Sequence, residues 1–168
     1  VPSLRTPDAP VRGERTQVRL ATSDDADMLV AWHADPEVAR FWDGSTYTRE
    51  EMVERLTRSE VNPYIVEANG EPIGYLQAWC NDDIPGVAGL DMFLVPSARD
   101  RGLGPDAGRA LATWLLGPGG VHHVTVDPYV ENERAVRGWE KAGFRRLAKA
   151  EPDDEHTKPW FLMVFGKP

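Results

Sequence analysis

The segment Gly89 to Leu111, GLDMFLVPSARDRGLGPDAGRAL, constrains this chain more than any other. A short apolar strand carrying one acid, Asp91, ends at Pro96. A glycine-rich run, Arg99-Asp100-Arg101-Gly102-Leu103-Gly104, follows, and Pro105 then opens a helix that reaches Leu116. A strand, a glycine-rich loop and a helix start in series leave backbone N–H groups unpaired at the turn, with the positive end of the helix dipole behind them. Such a turn suits a phosphate or pyrophosphate. Asp91, on the strand leading into it, is placed for chemistry beside the bound ligand.

The remaining sequence alternates strand and helix signals. Residues 17–21 read as a strand. Thr22 or Ser23 caps a helix to about Ala34, with Asp24, Asp25 and Asp27 in its first turn. Pro36 starts a short helical piece that Phe41-Trp42-Asp43-Gly44 ends, and Thr48 with Glu51 has capping-box spacing for a helix to about Arg58. Strands over 63–68 and 73–79 flank Asn69-Gly70, a strong hairpin signal. Beyond the polar loop 81–86 and the strand 87–95, Gly117–Gly120 stops the helix and a strand covers 121–126. A helix over 132–142 is closed by Gly143, and strands over 145–150 and 160–165 enclose an acidic turn. This order predicts an α/β (α+β) fold, a mixed sheet with helices on both faces.

At 168 residues the chain reads as one domain over 16–168, preceded by a mobile leader, 1–15, rich in Pro and Arg. There is no apolar run of about 18 residues to cross a membrane, and residues 1–15 lack the apolar core of a signal peptide. Cys80 is the single cysteine, so an internal disulfide is excluded and a cytoplasmic setting is expected. It has no evident His partner and reads as a small buried hydrophobe. The 19 basic against 27 acidic residues give a net charge of −8, which favours cationic partners over nucleic acid or an anionic membrane. His122-His123 lacks further ligands at useful spacing, so no metal is expected.

Three features together carry a family likeness: Arg99, Gly102 and Gly104 in the loop, Asp127-Pro128 with Asn132-Glu133-Arg134-Ala135-Val136-Arg137, and Glu140-Lys141-Ala142-Gly143-Phe144. Over roughly residues 16–166 the chain resembles the GNAT N-acetyltransferase superfamily. Pro63-Tyr64-Ile65, Asn69-Gly70-Glu71-Pro72-Ile73-Gly74-Tyr75, Gly89-Leu90-Asp91, Trp32 and Phe41-Trp42 are similar to the aminoglycoside 6′-N-acetyltransferases within it. The resemblance implies the GNAT fold, with a central mixed, mostly antiparallel twisted sheet between helices. It implies acetyl-CoA as cosubstrate, no metal, and transfer of acetyl to the 6′-amine of aminoglycoside antibiotics by direct attack on the thioester, hence antibiotic resistance. Two alternatives stay open: another amine as acceptor on the same fold (a siderophore precursor or a protein N-terminus), or an acyl-CoA-binding sensor without turnover. A monomer or a homodimer is compatible with either.

On this reading each candidate residue has a role. An alkylammonium has no lone pair, so a base must take a proton, and Asp91 is the catalytic candidate. Asp127, Asp82, Asp83 and Glu131 are candidates for binding further ammonium groups, and Trp32 and Trp42 for walling or stacking on sugar rings. The backbone of Phe93, Leu94 and Val95 is expected along the pantetheine arm. Arg99, Asp100, Arg101, Gly102, Leu103, Gly104, Pro105 and Asp106 form the expected pyrophosphate turn. Asn132, Ala135, Trp139 and Lys141 complete the cofactor set. Two positions depart from the family pattern. Trp139 stands where many members have a tyrosine that protonates the departing thiolate, and Pro105 lacks one N–H donor. Tyr129 is close in sequence as a substitute, but nothing in the sequence brings its hydroxyl to the sulfur, and the general acid is left open.

Overall fold

The computed structural model describes residues 4–42, 44–58 and 60–166. Asp43, in the turn expected after the second helical piece, lies outside them. Among the described residues there are eight strands: β1 (Val11–Arg12), β2 (Gln17–Leu20), β3 (Val61–Ala68), β4 (Glu71–Cys80), β5 (Val87–Leu94), β6 (His123–Val126), β7 (Phe144–Ala150) and β8 (Trp160–Phe165). The five helices are α1 (Ala26–His33), α2 (Pro36–Ala39), α3 (Arg49–Leu56), α4 (Leu103–Leu116) and α5 (Glu133–Ala142). The strands form one sheet in the order β1-β2-β3-β4-β5-β6-β8-β7. All neighbours are antiparallel except β5 and β6.

Alternation along the central strands puts helices on both faces. Tyr64, Val66, Leu76, Ala78 and Leu90 join Leu111, Leu115, Val124, Trp139 and Met163 in one buried cluster beneath α4 and α5. Ile65, Tyr75 and Phe93 point the other way and meet Leu29, Val38 and Met52 of α1–α3. The predicted mixed, mostly antiparallel sheet between helices is therefore what the sequence forms. Thr22 supplies the expected cap with Asp25 as the reciprocal partner, although the first turn, Ser23–Asp25, is a 3-10 turn before α1 begins. Thr48 and Glu51 form the second capping box, and Asn69 and Gly70 take the positive φ values of a tight hairpin, 52° and 78°.

Three boundaries differ from expectation. The segment read as a mobile leader is folded where it is described. β1 pairs with β2, Val11 opposite Val18, and residues 14–16 are tied to Asp106, so Pro and Arg content here reflects an irregular edge rather than freedom. The strand expected from Val121 starts at His123, because Val121 donates to Leu115 O and completes the helix-terminating turn. Helix α4 starts at Leu103 rather than Pro105, with Gly102 at its cap in the left-handed region, φ 75°. The ring of Pro105 then falls inside the first turn, where an N–H would have had no intrahelical acceptor.

Candidate active site

The site is built where β5 and β6 part. Their parallel pairing covers only Val87–Gly89 against His123–Thr125. β6 ends at Val126 while β5 runs on to Leu94, so the β6-facing edge of β5 is left open in a wedge. Asp91 and Asp127 each lie two residues beyond the last paired residues, Gly89 and Thr125, and are near enough for the Asp127 charge to act on the Asp91 carboxyl. A cavity of about 430 Å³ fills the wedge. Its walls include Met92 to Leu94, Arg99, Asp100 and Gly102 to Pro105 of the turn, and one side of α5 with Asn132, Ala135, Trp139 and Lys141. Asp100 (φ 60°) and Gly102 (φ 75°) curl this turn so that the N-terminus of α4 faces the cavity. A Cβ on Gly104 would lie 3.3 Å from both Leu94 Cδ1 and Met92 Cε, so the loop sits tight against the strand. The free N–H groups of a helix start, with the dipole behind them, make this end of the cavity fit a diphosphate. The open strand edge can pair with an extended amide chain.

Asp91 is held by its cross-strand neighbours. Gln77, directly opposite, donates from Nε2 to Asp91 Oδ2 at 2.9 Å, and Trp79 donates from Nε1 to the same oxygen at 3.0 Å. Tyr75 O–H donates to Gln77 Oε1 at 3.0 Å, which fixes the amide so that its NH₂ faces the carboxylate. Trp79 is paired with Gly89, and its ring lies flat over that residue, reaching diagonally to Asp91. A Cβ on Gly89 would stand 2.1 Å from Trp79 Cζ2. Burial pushes the Asp91 carboxyl up to about 6, and the charge of Asp127 adds to the rise. The donors of Gln77 and Trp79, with His156 beyond, restrain it. Such a group is ionised at neutral pH and still basic enough to accept a proton. Gly89→Ala is accordingly expected to expel the indole, remove one donor from Asp91, and move the acid limb of the pH–rate profile upward by roughly 0.5–1 unit. Steady-state kinetics from pH 5 to 8 would show it, and an unmoved limb would mean that the indole bond does not tune Asp91.

Asp127 follows β6 and is 26% exposed. Its Oδ2 accepts from His156 Nε2 at 2.9 Å.

Residues 21–151 match the family model described as an acetyltransferase (GNAT) domain. The chain is also 35% identical over 155 residues to aminoglycoside N(6′)-acetyltransferase type 1 of Klebsiella pneumoniae, covering 82% of this chain and 77% of that one. The chain belongs to the GNAT acetyltransferases. Among solved structures it is similar to AAC(6′)-Ib bound to paromomycin and acetyl-CoA, with 33% identity, a TM-score of 0.79 and coverage of 90% and 93% of the two chains. It is similar also to AAC(6′)-Ib bound to coenzyme A and kanamycin, with 33% identity, a TM-score of 0.77 and coverage of 89% and 93%.

In this GNAT acetyltransferase the cavity brings together most of the predicted cofactor set: Phe93, Leu94, Arg99, Asp100, Gly102, Leu103, Gly104, Pro105, Asn132, Ala135, Trp139 and Lys141 all line it. Three residues stand elsewhere. The N–H of Val95 is taken by Ile73 O at 2.9 Å. Arg101 faces a separate surface hollow, and its carbonyl accepts from the Arg15 guanidinium. Asp106 turns its carboxylate away from the cavity into residues 14–16. Others line the cavity but are committed locally. Arg99 ties Leu94 O to Glu37, Asn132 Oδ1 caps α5 at Ala135 N, and Asp100 pairs with Arg134 at 2.8 Å.

The predicted acceptor residues divide in the same way. Trp42 lines the cavity, and its ring meets Phe93 edge-on at 5.1 Å. Trp32 packs on the other side of Phe93, at 6.1 Å, as part of the α1–α3 core. Glu131 borders the cavity and is paired with Lys158. Asp82 and Asp83 are exposed in the 81–86 loop, where Asn81 Oδ1 accepts the N–H of Asp83, and neither lines the cavity. Trp139 is buried against Phe144 and over Gly108, and Tyr129 packs edge-on to His156.

Gln77, Trp79 and His156 were missed as site residues. The first two left a trace: Tyr75, Gln77 and Trp79 share one strand face, and a glutamine within an otherwise apolar strand asks for a partner. His156 left none, being a lone histidine in an acidic turn.

Proposed function

We propose that this protein transfers acetyl from acetyl-CoA to the 6′-amine of aminoglycosides, with Asp91 as the base. The observation that carries the reading is Asp91 itself, a carboxyl whose pKa is raised to about 6 by burial and the nearby charge of Asp127, one residue before Met92, where β5 begins to line a cavity that fits a diphosphate and an extended arm. Relatives at 33–35% identity are named for, or bound to, aminoglycosides, and that supports the same acceptor class here. Coenzyme A would lie with its diphosphate at the N–H groups of residues 102–104 and its arm along the open edge of β5. The acceptor would come from the α1–α3 face, where Asp91 and Asp127 meet its ammonium groups.

The chemistry balances without further reagents. Asp91 takes one proton from the 6′-ammonium, freeing the lone pair. The nitrogen attacks the thioester carbonyl, the C–N bond forms, and the C–S bond breaks. The new amide nitrogen sheds its second proton, and the thiolate takes one up. A thiol pKa near 8.5 makes that thiolate a good leaving group, so Trp139, which has no acidic hydroxyl, is compatible with turnover. Acetylation removes a cationic amine from the drug, which is a resistance activity.

Incubation with acetyl-CoA and kanamycin, followed by thiol release and mass spectrometry, tests the reading. The expected result is stoichiometric free thiol and a mono-acetylated drug modified at the 6′-nitrogen. Acetyl-CoA turnover with other amines and none with aminoglycosides would overturn it.

A further inference from the structure

The loop between β7 and β8 reaches the acceptor side through one histidine. His156 is 9% exposed and stacks on Trp160, with ring centroids 4.2 Å apart and planes at 14°. Nε2 meets Asp127 Oδ2 at 2.9 Å and Nδ1 meets Asp153 Oδ1 at 2.9 Å. A neutral imidazole has one N–H, so it can donate to only one of two carboxylates, whereas an imidazolium donates to both. The Asp153 carboxylate also accepts the backbone N–H of His156 at 2.7 Å and that of Glu155 at 2.9 Å, so it is held in place as an acceptor.

The same loop is fastened again at its far end. Lys158 pairs with Glu131, Val130 N–H donates to Pro159 O at 3.0 Å, and Phe161 N–H donates to Pro128 O at 2.9 Å. Residues 127–131, which run from Asp127 to the cap of α5, are thus strapped along their length. The polar groups at His156 are accounted for by element: Asp127 after β6, Asp153 on its own loop, Asp91 on β5 acting through space, Tyr129 edge-on, and the apolar face of Trp160 on β8.

We propose that His156, as an imidazolium bridging Asp127 and Asp153, is a positioning residue that fixes the Asp127 carboxylate as the second ammonium-binding group of the acceptor site. The inference rests on the acetyltransferase reading above and assigns a residue to acceptor affinity. Asp127, 26% exposed, keeps acceptor capacity for the ligand while His156 holds its direction. The hydrogen bonds to the two carboxylates outweigh burial and raise the His156 pKa above its ordinary value. The sign follows. The strap is complete below the unfolded histidine pKa of about 6.5 and loosens as pH rises through the higher folded value.

His156→Gln keeps an N–H donor and loses the charge. The expected result is a KM for kanamycin raised roughly tenfold, the loss of one well-aimed charged contact, with kcat and the KM for acetyl-CoA within about twofold of the parent. Asp127→Asn should raise the same KM, and adding His156→Gln to it should change little more, because the two act as one unit. A kanamycin KM unmoved by His156→Gln overturns the proposal, as does a uniform fall of kcat and both affinities. Histidine ¹⁵N titration of the parent protein is a check that needs no variant: a ring pKa at or below that of free histidine overturns it. Absence of any aminoglycoside turnover by the parent protein overturns the function and this role together, whereas turnover with an unmoved KM overturns this role alone.

Discussion

Asp91→Asn is expected to lower kcat/KM by about 10²–10⁴, the usual contribution of a positioned general base. It should also abolish the acid limb expected of the parent enzyme near pH 6, the value to which burial and Asp127 raise the carboxyl. The asparagine retains an oxygen for the N–H groups of Gln77 and Trp79, so the geometry of the strand pair is kept and only the proton acceptor is lost. The KM for acetyl-CoA should hold, because the diphosphate turn lies on other residues. Stability should move the opposite way. A carboxyl whose folded pKa is raised from 3.8 to about 6 favours folding fully below the unfolded value and loses that contribution as pH rises through about 6. At pH 7 and above the ionised Asp91 therefore costs on the order of 2–3 kcal/mol, and the amide does not. Thermal melts should show Asp91→Asn above the parent at pH 7.5 and level with it near pH 4. A variant with near-parental kcat/KM from pH 6 to 8 would remove Asp91 from the role of base.

Whether the contacts are local or distant decides which parts of the site can be read from the chain. The strand–turn–helix of residues 89–111 is local, so its glycines, its turn and the acid upstream are legible together, and the cavity forms against the turn and the strand from Met92. The elements were legible for the same reason: capping boxes at Thr22 and Thr48 and the Asn69-Gly70 hairpin are fixed by neighbours within a few residues. What a loop residue faces is decided by distant chain. Arg101 and Asp106 sit in the right segment, yet one joins a second surface hollow and the other reaches 90 residues back to Thr16. Asp82 and Asp83 were grouped with Asp91 by charge and proximity in sequence, but the turn made by Asn81 leaves them exposed. His156 is the opposite case, 29 residues from Asp127 in sequence and 2.9 Å from it in space. Only tertiary contact carries that kind of information, because His156 sits in the loop between β7 and β8 and Asp127 just beyond β6.

Asp106→Ala is expected to destabilise the fold by about 3–5 kcal/mol, because it strands several donors at once and each one left buried without an acceptor costs about 1–3 kcal/mol. The carboxylate accepts the backbone N–H groups of Glu14, Arg15 and Thr16 at 3.0, 3.0 and 2.9 Å and the Thr16 hydroxyl at 2.6 Å. Alanine would leave these donors without an acceptor in a site that is 8% exposed at Asp106. The carboxylate packs closely on this segment, since a Cβ at Gly13 would lie 2.2 Å from Asp106 Oδ2. A chain of this size loses roughly 2–4 °C per kcal/mol, so the melting temperature should fall by about 10 °C at pH 7. The hydrogen bonds hold the Asp106 pKa below its ordinary value despite burial. Its contribution is therefore present above the unfolded carboxyl pKa and is lost as pH falls through the lower folded value, so the gap between parent and variant should close in acid. The effect should reach the cofactor as well. Asp106 lies in the first turn of α4, and the segment it anchors carries Arg15, whose guanidinium braces the Arg101 carbonyl in the diphosphate turn. At a temperature where the variant is folded, the KM for acetyl-CoA should rise while the acid limb set by Asp91 stays near pH 6. Asp106→Asn, which keeps an acceptor oxygen, should fall between the two. A melting temperature within 2 °C of the parent would mean that residues 14–16 do not depend on Asp106 for their place in the fold.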